Sequence, residues 1–459
     1  MRFIDEITRA VRHQAANDRN ERKTKEEIDD IASALNTKVS DEQYDFTKSE
    51  FIVLNQSGKK RFVKQFKDLY SAESVLCQCI KYILDRAFKV RYPNRNKSIR
   101  ILFGVLTAIK QMSDFTIVRF DFKDYFNSVS AVYVFDKFIR PKLSDRFEID
   151  LLNDFTKKTK YAYAGFCTSN VIAEIIARQF DESLRINLIN KGIIFYERYI
   201  DDAVIIFNDH IEESEILDIL HKILENVFMD KSIDVQPKCK TQLNNNKFNY
   251  ISKRNIGNNT ASFDYLGYEF WIESQANTIE IKYGITQSKR DKYSKRVDDF
   301  ISCFLDPNHS DYNNTELLRH RIAAFTSRTV YQNKKYHSYV WKVKGFITNY
   351  GELRYLLDTG LIENRTKDFL NNMVNEAFNR AFIDVPYFLK GSHGKAGYNL
   401  LKNMQENKTL LLVKHIGFDY NSLVRLCTQI GISNTDRNGK RRGYGTLIRD
   451  YLIETKVGY

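Results

Sequence analysis

The chain has 459 residues, with 71 Lys or Arg against 58 Asp or Glu, for a formal net charge of +13. That length allows two or three substructures with their own cores, and the cationic excess points to a polyanionic partner, nucleic acid foremost. Six cysteines without Cys-x-x-Cys spacing predict neither a zinc site nor a disulfide framework. With no signal peptide and no apolar run long enough for a bilayer, the expectation is a cytoplasmic chain that does not engage membranes.

Residues 1–45 are highly charged and carry helical spacing, with Ile28, Ile31 and Leu35 as an apolar stripe, and read as an N-terminal arm or helix. A turn at Asn55-Gln56-Ser57-Gly58 precedes a basic strand from Lys59 to Phe66. Arg61 in that strand suits a phosphate, because a planar guanidinium binds two oxygens at once. Tyr92 to Ser98 reads as a polar turn opening a helix, and its basic Arg95 and Lys97 have an ordinary reading as a surface loop. Phe115 to Phe120 reads as a strand ending at Asp121, which is either the N-cap of a following helix or a metal ligand.

The most informative stretch is Tyr199-Ile200-Asp201-Asp202, set between the apolar runs 193–196 and 203–207. It reads as the tip of a β-hairpin. Adjacent aspartates crowd like charges unless a cation neutralises them. The other Asp-Asp pairs, Asp29-Asp30 and Asp298-Asp299, lie in charged, helix-like surroundings and read as solvated faces. If Asp121 converges on the hairpin tip, the carboxylates can hold two hard cations roughly 3.5–4 Å apart, which stabilise the attacking and leaving oxygens of a phosphoryl displacement.

After Gly284 the pattern turns helical. Lys289, Lys292, Tyr293 and Arg296 share one face at i, i+3, i+4, i+7 spacing, with Val297, Phe300 and Ile301 turned inward. The stretches 339–357, 369–382 and 420–430 predict further amphipathic helices. The basic turn from Asp436 to Gly443 either grips phosphate or is an exposed loop.

Taken in order, five segments resemble the motifs of reverse transcriptases. Asp121 to Val129 is similar to the first palm motif, an aspartate followed five residues later by an aromatic. Gly165-Phe166-Cys167-Thr168-Ser169-Asn170 resembles the glycine-to-serine loop that opens the long palm helix, and Tyr199 to Asp202 matches Tyr-x-Asp-Asp. Lys240-Thr241 resembles the lysine motif, and Phe263 to Tyr268 the primer-grip hairpin. The resemblance implies an α+β fold: a right-hand fingers-palm core over 46–284, preceded by the arm and followed by an all-helical thumb and C-terminal module over 285–459. It implies an RNA-directed DNA polymerase with two Mg²⁺ ions at Asp121, Phe122, Asp201 and Asp202, the three aspartates being catalytic. The nucleotide falls to Arg61, Phe126 and Lys240, with the Phe126 ring excluding a ribose 2′-hydroxyl; each of these residues also has an ordinary reading as core or solvated surface. Template and primer fall to Arg95, Lys97, Gly165, Ser169, Tyr199, Leu266, Gly267, Lys289, Lys292 and Arg296. The implied partners are deoxynucleoside triphosphates, RNA as template or structured non-coding RNA, and the DNA product, with room for a second copy or another subunit.

The departures are specific. Ala162-Tyr163-Ala164-Gly165 stands where relatives carry Leu-Pro-Gln-Gly. There is no Asn-Ala-x-x-His or Val-Thr-Gly signature of retron enzymes, and nothing beyond the thumb resembles a maturase, endonuclease, RNase H or integrase. This subset resembles the bacterial antiphage-defence reverse transcriptases, the abortive-infection group among them. Two classes stay open: an active polymerase primed by nucleic acid or a protein tyrosine, and a nucleic-acid-binding scaffold or subunit of a larger complex.

Overall fold

The computed structural model describes residues 2–18, 23–56, 59–256, 259–275, 278–312, 314–327, 329–335, 338–390, 398–406, 418–436 and 438–456. They fall into two compact units, 1–257 and 258–459. Helix and strand are mixed in both. Among the described residues no helix is long and apolar enough to cross a membrane.

The first unit opens with α1 (Arg2–Asn17) and α2 (Lys25–Ser40). A capping box starts α2: the Thr24 hydroxyl accepts the Glu27 amide, and the Glu27 carboxylate accepts the Thr24 amide. Of the expected stripe, Leu35 is buried, and Ile28 and Ile31 pack at the edge of the same core that takes Ile7 and Val11 of α1. A two-stranded antiparallel ribbon follows, β1 (Glu50–Gln56) and β2 (Lys59–Gln65), with Phe51 opposite Lys64 and Val53 opposite Phe62. Next come α3 (Ala72–Phe88), capped by Ser71, and α4 (Arg95–Ile109), capped by Asn94.

Strand β3 (Thr116–Asp121) is buried along its whole length. Short helices α5 (Tyr125–Ser128) and α6 (Ala131–Val134), then α7 (Arg146–Thr159), lead to the long α8 (Ser169–Leu188). The hairpin β4 (Ile193–Tyr199) and β5 (Asp202–Phe207), helix α9 (Glu213–Phe228), strand β6 (Asn249–Ser252) and the single turn α10 (Lys253–Ile256) complete the unit. The four strands form an antiparallel sheet in the order β4-β5-β3-β6. Its inner face sets Phe120 and Phe122 against Phe180 of α8, at ring separations of 6.2 and 5.2 Å. Burying each such ring stabilises by roughly 1.5–3 kcal/mol. Because side chains alternate along a strand, anchoring Phe120 inward turns Arg119 and Asp121 to the opposite face.

The second unit begins with a three-stranded antiparallel sheet, β7 (Thr260–Tyr265), β8 (Tyr268–Gln275) and β9 (Thr278–Ile285). The β7–β8 turn is Leu266-Gly267 with φ of +52° and +81°, the pattern of a two-residue turn that matches strand twist. Helices α11 (Gln287–Leu305) and α12 (Thr315–Thr326) follow, then β10 (Thr329–Lys335), β11 (Ser338–Lys344), α13 (Phe346–Asn349), α14 (Asn364–Arg380), α15 (Leu400–Glu406), α16 (Tyr420–Gln429) and α17 (Tyr444–Glu454). Tyr293 meets Phe346 and Tyr350 edge to face and Phe325 at a tilt.

The region after residue 285 is therefore not all-helical. The antiparallel pair β10–β11 interrupts it, and the helix expected over 339–357 is strand up to Lys344. Tyr, Val and Trp between Ser338 and Lys344 favour an extended chain. Gly345 then takes φ +105°, where an added Cβ would lie 1.8 Å from the Ser327 carbonyl, so the chain cannot run from strand into one continuous helix. The other two expected helices correspond to α14 and α16.

Candidate active site

Asp121, at the end of β3, lies directly opposite Asp202, at the start of β5, and the Ile200-Asp201 turn adjoins them. The helix that follows Asp121 begins at Tyr125 with Asp124 in the N-cap position, so the Asp121 carboxylate is not spent on capping. Ile200 takes φ +63°, an uncommon conformation for a β-branched residue. Two hydrogen bonds hold it. The Phe122 amide donates to the Asp201 carbonyl at 3.1 Å, and Arg198 donates to the Ile200 carbonyl at 2.8 Å. Arg198 is itself buried and anchored on α8 by Glu174 at 2.9 Å and Asp181 at 2.8 Å. The aspartates thus stand on a turn braced from below.

Each carboxylate has a different electrostatic setting. Asp121 is 3% exposed; Lys247 Nζ lies 2.6 Å from one of its oxygens and the Asn244 side-chain amide 3.1 Å from the other. Asp202 forms an ion pair with the buried Arg119 at 3.0 Å, a close approach without the alignment of a hydrogen bond. Arg119 also donates to the Lys247 carbonyl at 2.7 Å. The Asp201 carboxyl is raised above its ordinary pKa, first by burial and then by the charge of Asp121, while Lys247 and Arg119 oppose the shift.

Among the described residues no three His, Cys, Asp or Glu side chains are gathered as a metal-ligand set. The Asp121 and Asp201 pair nevertheless fits a hard divalent cation: two carboxylates crowded together, one of them buried, gain from a shared positive charge. Asp202, committed to Arg119, is the less available ligand. Phe122 sends its ring into the core, 1% exposed, and leaves only backbone at the site.

A cavity of about 170 Å³ opens beside the turn, with Tyr92, Pro93, Phe126, Asn170, Tyr199 and Ile200 in its wall. Phe126 and Tyr199 therefore share one space with the polar turn that precedes α4, where Arg95 and Lys97 occupy the first helical turn. Arg61 is exposed on β2 opposite Leu54, on the ribbon face away from Phe51 and Phe62. Lys240 bonds the Ser128 carbonyl through its amide at 2.8 Å and holds its ammonium 5.7 Å from the centre of the Tyr161 ring. The lysine in contact with the carboxylates is Lys247.

Gly165 has φ +110°, and a Cβ there would come within 2.5 Å of the Lys64 carbonyl. The Lys64 amide donates to the Ala164 carbonyl at 2.7 Å, so glycine is what lets the loop lie on β2. The Ser169 hydroxyl is bonded to the Tyr163 carbonyl and is buried; it closes the same loop.

In the second unit, Gly267 at the β7–β8 turn is close to Lys289: an added Cβ would lie 3.3 Å from Lys289 Cε and 3.2 Å from the Tyr350 hydroxyl. Lys289 and Lys292 are exposed. Tyr293, expected on the basic face, is 4% exposed and belongs to the core, and Arg296 donates to the Lys456 carbonyl at 2.7 Å. The basic face of α11 is thus narrower than its spacing suggested. In the 436–443 turn, Arg442 pairs with Asp450 and Arg441 lies 4.3 Å over the Tyr420 ring.

No family profile and no curated protein matches the sequence. Among solved structures, the chain is similar to telomerase from Candida tropicalis in complex with the TWJ fragment of telomeric RNA, at 11% identity and a TM-score of 0.34, over 93% of this chain and 68% of that one. Similarity to the corresponding Candida albicans complex is 11% identity and TM-score 0.37, over 89% of this chain and 60% of that one. Apo telomerase from Candida tropicalis gives 12% and 0.35, over 94% and 73%.

Proposed function

We propose that this chain is a DNA polymerase of the reverse-transcriptase type. The observation that carries the reading is local: a strand-end aspartate faces a braced Asp-Asp hairpin tip, beside a cavity walled by Phe126 and Tyr199. Asp121 and Asp201 would hold Mg²⁺ in two copies, with the Phe122 backbone alongside. Such ions neutralise charge on the attacking and leaving oxygens of phosphoryl transfer. The chain's own residues do the rest. Arg198 and the Phe122 amide fix the turn that carries Asp201, and Arg119 holds Asp202 where it tunes the site's charge. Phe126 packs against the sugar of a deoxynucleoside triphosphate. A primer hydroxyl, from nucleic acid or a protein tyrosine, attacks the α-phosphate, and pyrophosphate leaves.

The Lys247–Asp121 and Arg119–Asp202 pairs favour a second reading, in which the carboxylates are neutralised internally and the fold serves as a nucleic-acid-binding scaffold or subunit. Incorporation of labelled deoxynucleotides by purified protein, with and without co-purified RNA, separates the two. Synthesis that stops in the Asp201→Ala, Asp202→Ala double variant supports the polymerase; a folded wild-type protein without incorporation supports the scaffold. The departure at 162–165 further motivates a role in antiphage defence, with RNA and DNA product as partners. Loss of phage protection in the same double variant supports that role, and undiminished protection excludes DNA synthesis as its mechanism.

A further inference from the structure

Arg119 and Lys247 both face the carboxylates, and they are held in different ways. Arg119 is buried and donates to the Lys247 carbonyl at 2.7 Å, so its guanidinium stays beside Asp202. The Lys247 side chain is 50% exposed. Its ammonium lies 2.6 Å from an Asp121 oxygen, at the end of a flexible four-carbon stem.

The root of that stem is fixed. Lys247 ends the short helical turn Asn245–Lys247. Just before it, the Asn244 amide donates to the Asp121 carbonyl at 2.8 Å, the Gln242 carbonyl accepts from the Lys123 amide at 2.9 Å, and Leu243 bridges Phe122. With the backbone tied to the strand that carries Asp121, the head of Lys247 is the part that can leave. Its departure into solvent is cheap, because half of the side chain is already in water. Asp121 then keeps the Asn244 side-chain amide at 3.1 Å but loses the charge that balances it. An ammonium and a divalent cation on one carboxylate repel each other, so occupancy by either weakens the other. Those are the properties of a counter-ion that can be exchanged.

We propose that Lys247 is a displaceable counter-ion of the carboxylate site: its ammonium balances Asp121 until a divalent cation takes its place and expels it toward solvent. The inference rests on the reading of Asp121 and Asp201 as metal ligands and adds a device that tunes their affinity. The pairing lets a buried carboxylate fold ahead of its metal, since an unpaired buried charge is costly. The same pairing makes metal binding weaker than the bare carboxylates would allow.

The test uses the full chain and Mn²⁺ alone, without nucleotide, with bound ion counted by loss of the free-ion electron paramagnetic resonance signal. Lys247→Met is expected to bind Mn²⁺ about tenfold more tightly than wild type and to melt at a lower temperature in the absence of metal. Lys247→Arg keeps the charge and can grip both carboxylate oxygens; it is expected to bind Mn²⁺ about threefold more weakly. Displacement itself is read on the wild type. Acetylation of the Lys247 amine by an N-hydroxysuccinimide ester, mapped by mass spectrometry, is expected to speed up severalfold when Mn²⁺ is bound, with Lys222, exposed on α9, as the internal reference. That measurement needs no variant, so it decides even where Lys247→Met does not fold. Equal Mn²⁺ affinity in wild type and both folded variants, or Lys247 acetylation indifferent to bound Mn²⁺, overturns the counter-ion and leaves the metal reading standing. Absence of Mn²⁺ binding in wild type and Lys247→Met alike, or binding that Asp201→Asn does not weaken, overturns the metal reading and the proposal with it.

Discussion

Asp201 and Asp202 are neighbours in sequence and opposites in energetics. Asp201 is half-buried near Asp121 with its pKa raised, so removing its charge relieves repulsion. Asp202 is the ion-pair partner of Arg119, which is only 4% exposed, and deleting it takes a carboxylate away from a buried cation, at a cost of up to about 3 kcal/mol. Thermal unfolding should therefore show a higher melting temperature for Asp201→Ala and a lower one for Asp202→Ala, while both lose incorporation. A second residue-scale expectation concerns the sugar. Phe126→Ala or Phe126→Val should admit ribonucleotides, read as incorporation of labelled ribonucleoside triphosphates; continued rejection reassigns the ring to packing. The hairpin aspartates were legible because apolar runs flank them at hairpin spacing. Arg119 and Arg198 left a fainter mark, as charges inside apolar strands. Lys247 left none: it reaches Asp121 across 126 residues, from a polar run with no periodicity, and the lysine picked out by motif order, Lys240, faces a tyrosine ring instead.

Elements were readable where one periodicity ruled. The strands around 116–121 and 193–207 are short, β-branched and bounded by turns, and the structure keeps them within a residue or two. The β10–β11 pair was hidden because the apolar positions of 339–357 also satisfy a helical spacing, and pairing with 329–335 settles the first of them as strand. Contact between loop 161–165 and β2 is a tertiary fact that spacing does not carry. Gly165→Ala tests it: a positive φ and a Cβ 2.5 Å from the Lys64 carbonyl should cost on the order of 1–3 kcal/mol in backbone strain alone, seen as a drop in melting temperature. In the second unit, His320 is buried between the Tyr451 hydroxyl and Gln429, each at 3.1 Å. Burial, and then the adjacent Arg319, depress its pKa. The unfolded chain then binds a proton near the ordinary histidine value of ~6.5 that the folded chain refuses, so stability falls as pH drops through that value and levels off below the depressed one. His320→Gln should flatten the dependence of melting temperature on pH between about 7 and 5.

For the whole molecule the dominant quantity is charge. An excess of +13 over 459 residues does not dictate a fold, but it does govern how the chain meets polyanions. Several cationic side chains are committed to internal pairs, such as Arg198 with Glu174 and Asp181, Arg321 with Asp311 and Arg442 with Asp450, which leave the excess itself untouched. The lysines beside rings, Lys64 near Phe51 with Lys160 next to it and Lys240 near Tyr161, are the ones set to displace counterions from a phosphate backbone. Each phosphate they neutralise on a single strand contributes about −0.7 to the slope of log affinity against log salt. Replacing Lys64, Lys160 and Lys240 together should therefore make the slope shallower by about 2, while Lys289→Ala with Lys292→Ala on α11 reports separately on the second unit. RNA that co-purifies at low salt should be shed steeply as ionic strength rises. Affinity titrations at several salt concentrations check this directly. A slope unchanged in the triple variant would move the phosphate contacts elsewhere on the surface, and affinity indifferent to salt would remove nucleic acid as the partner that the charge of this chain selects.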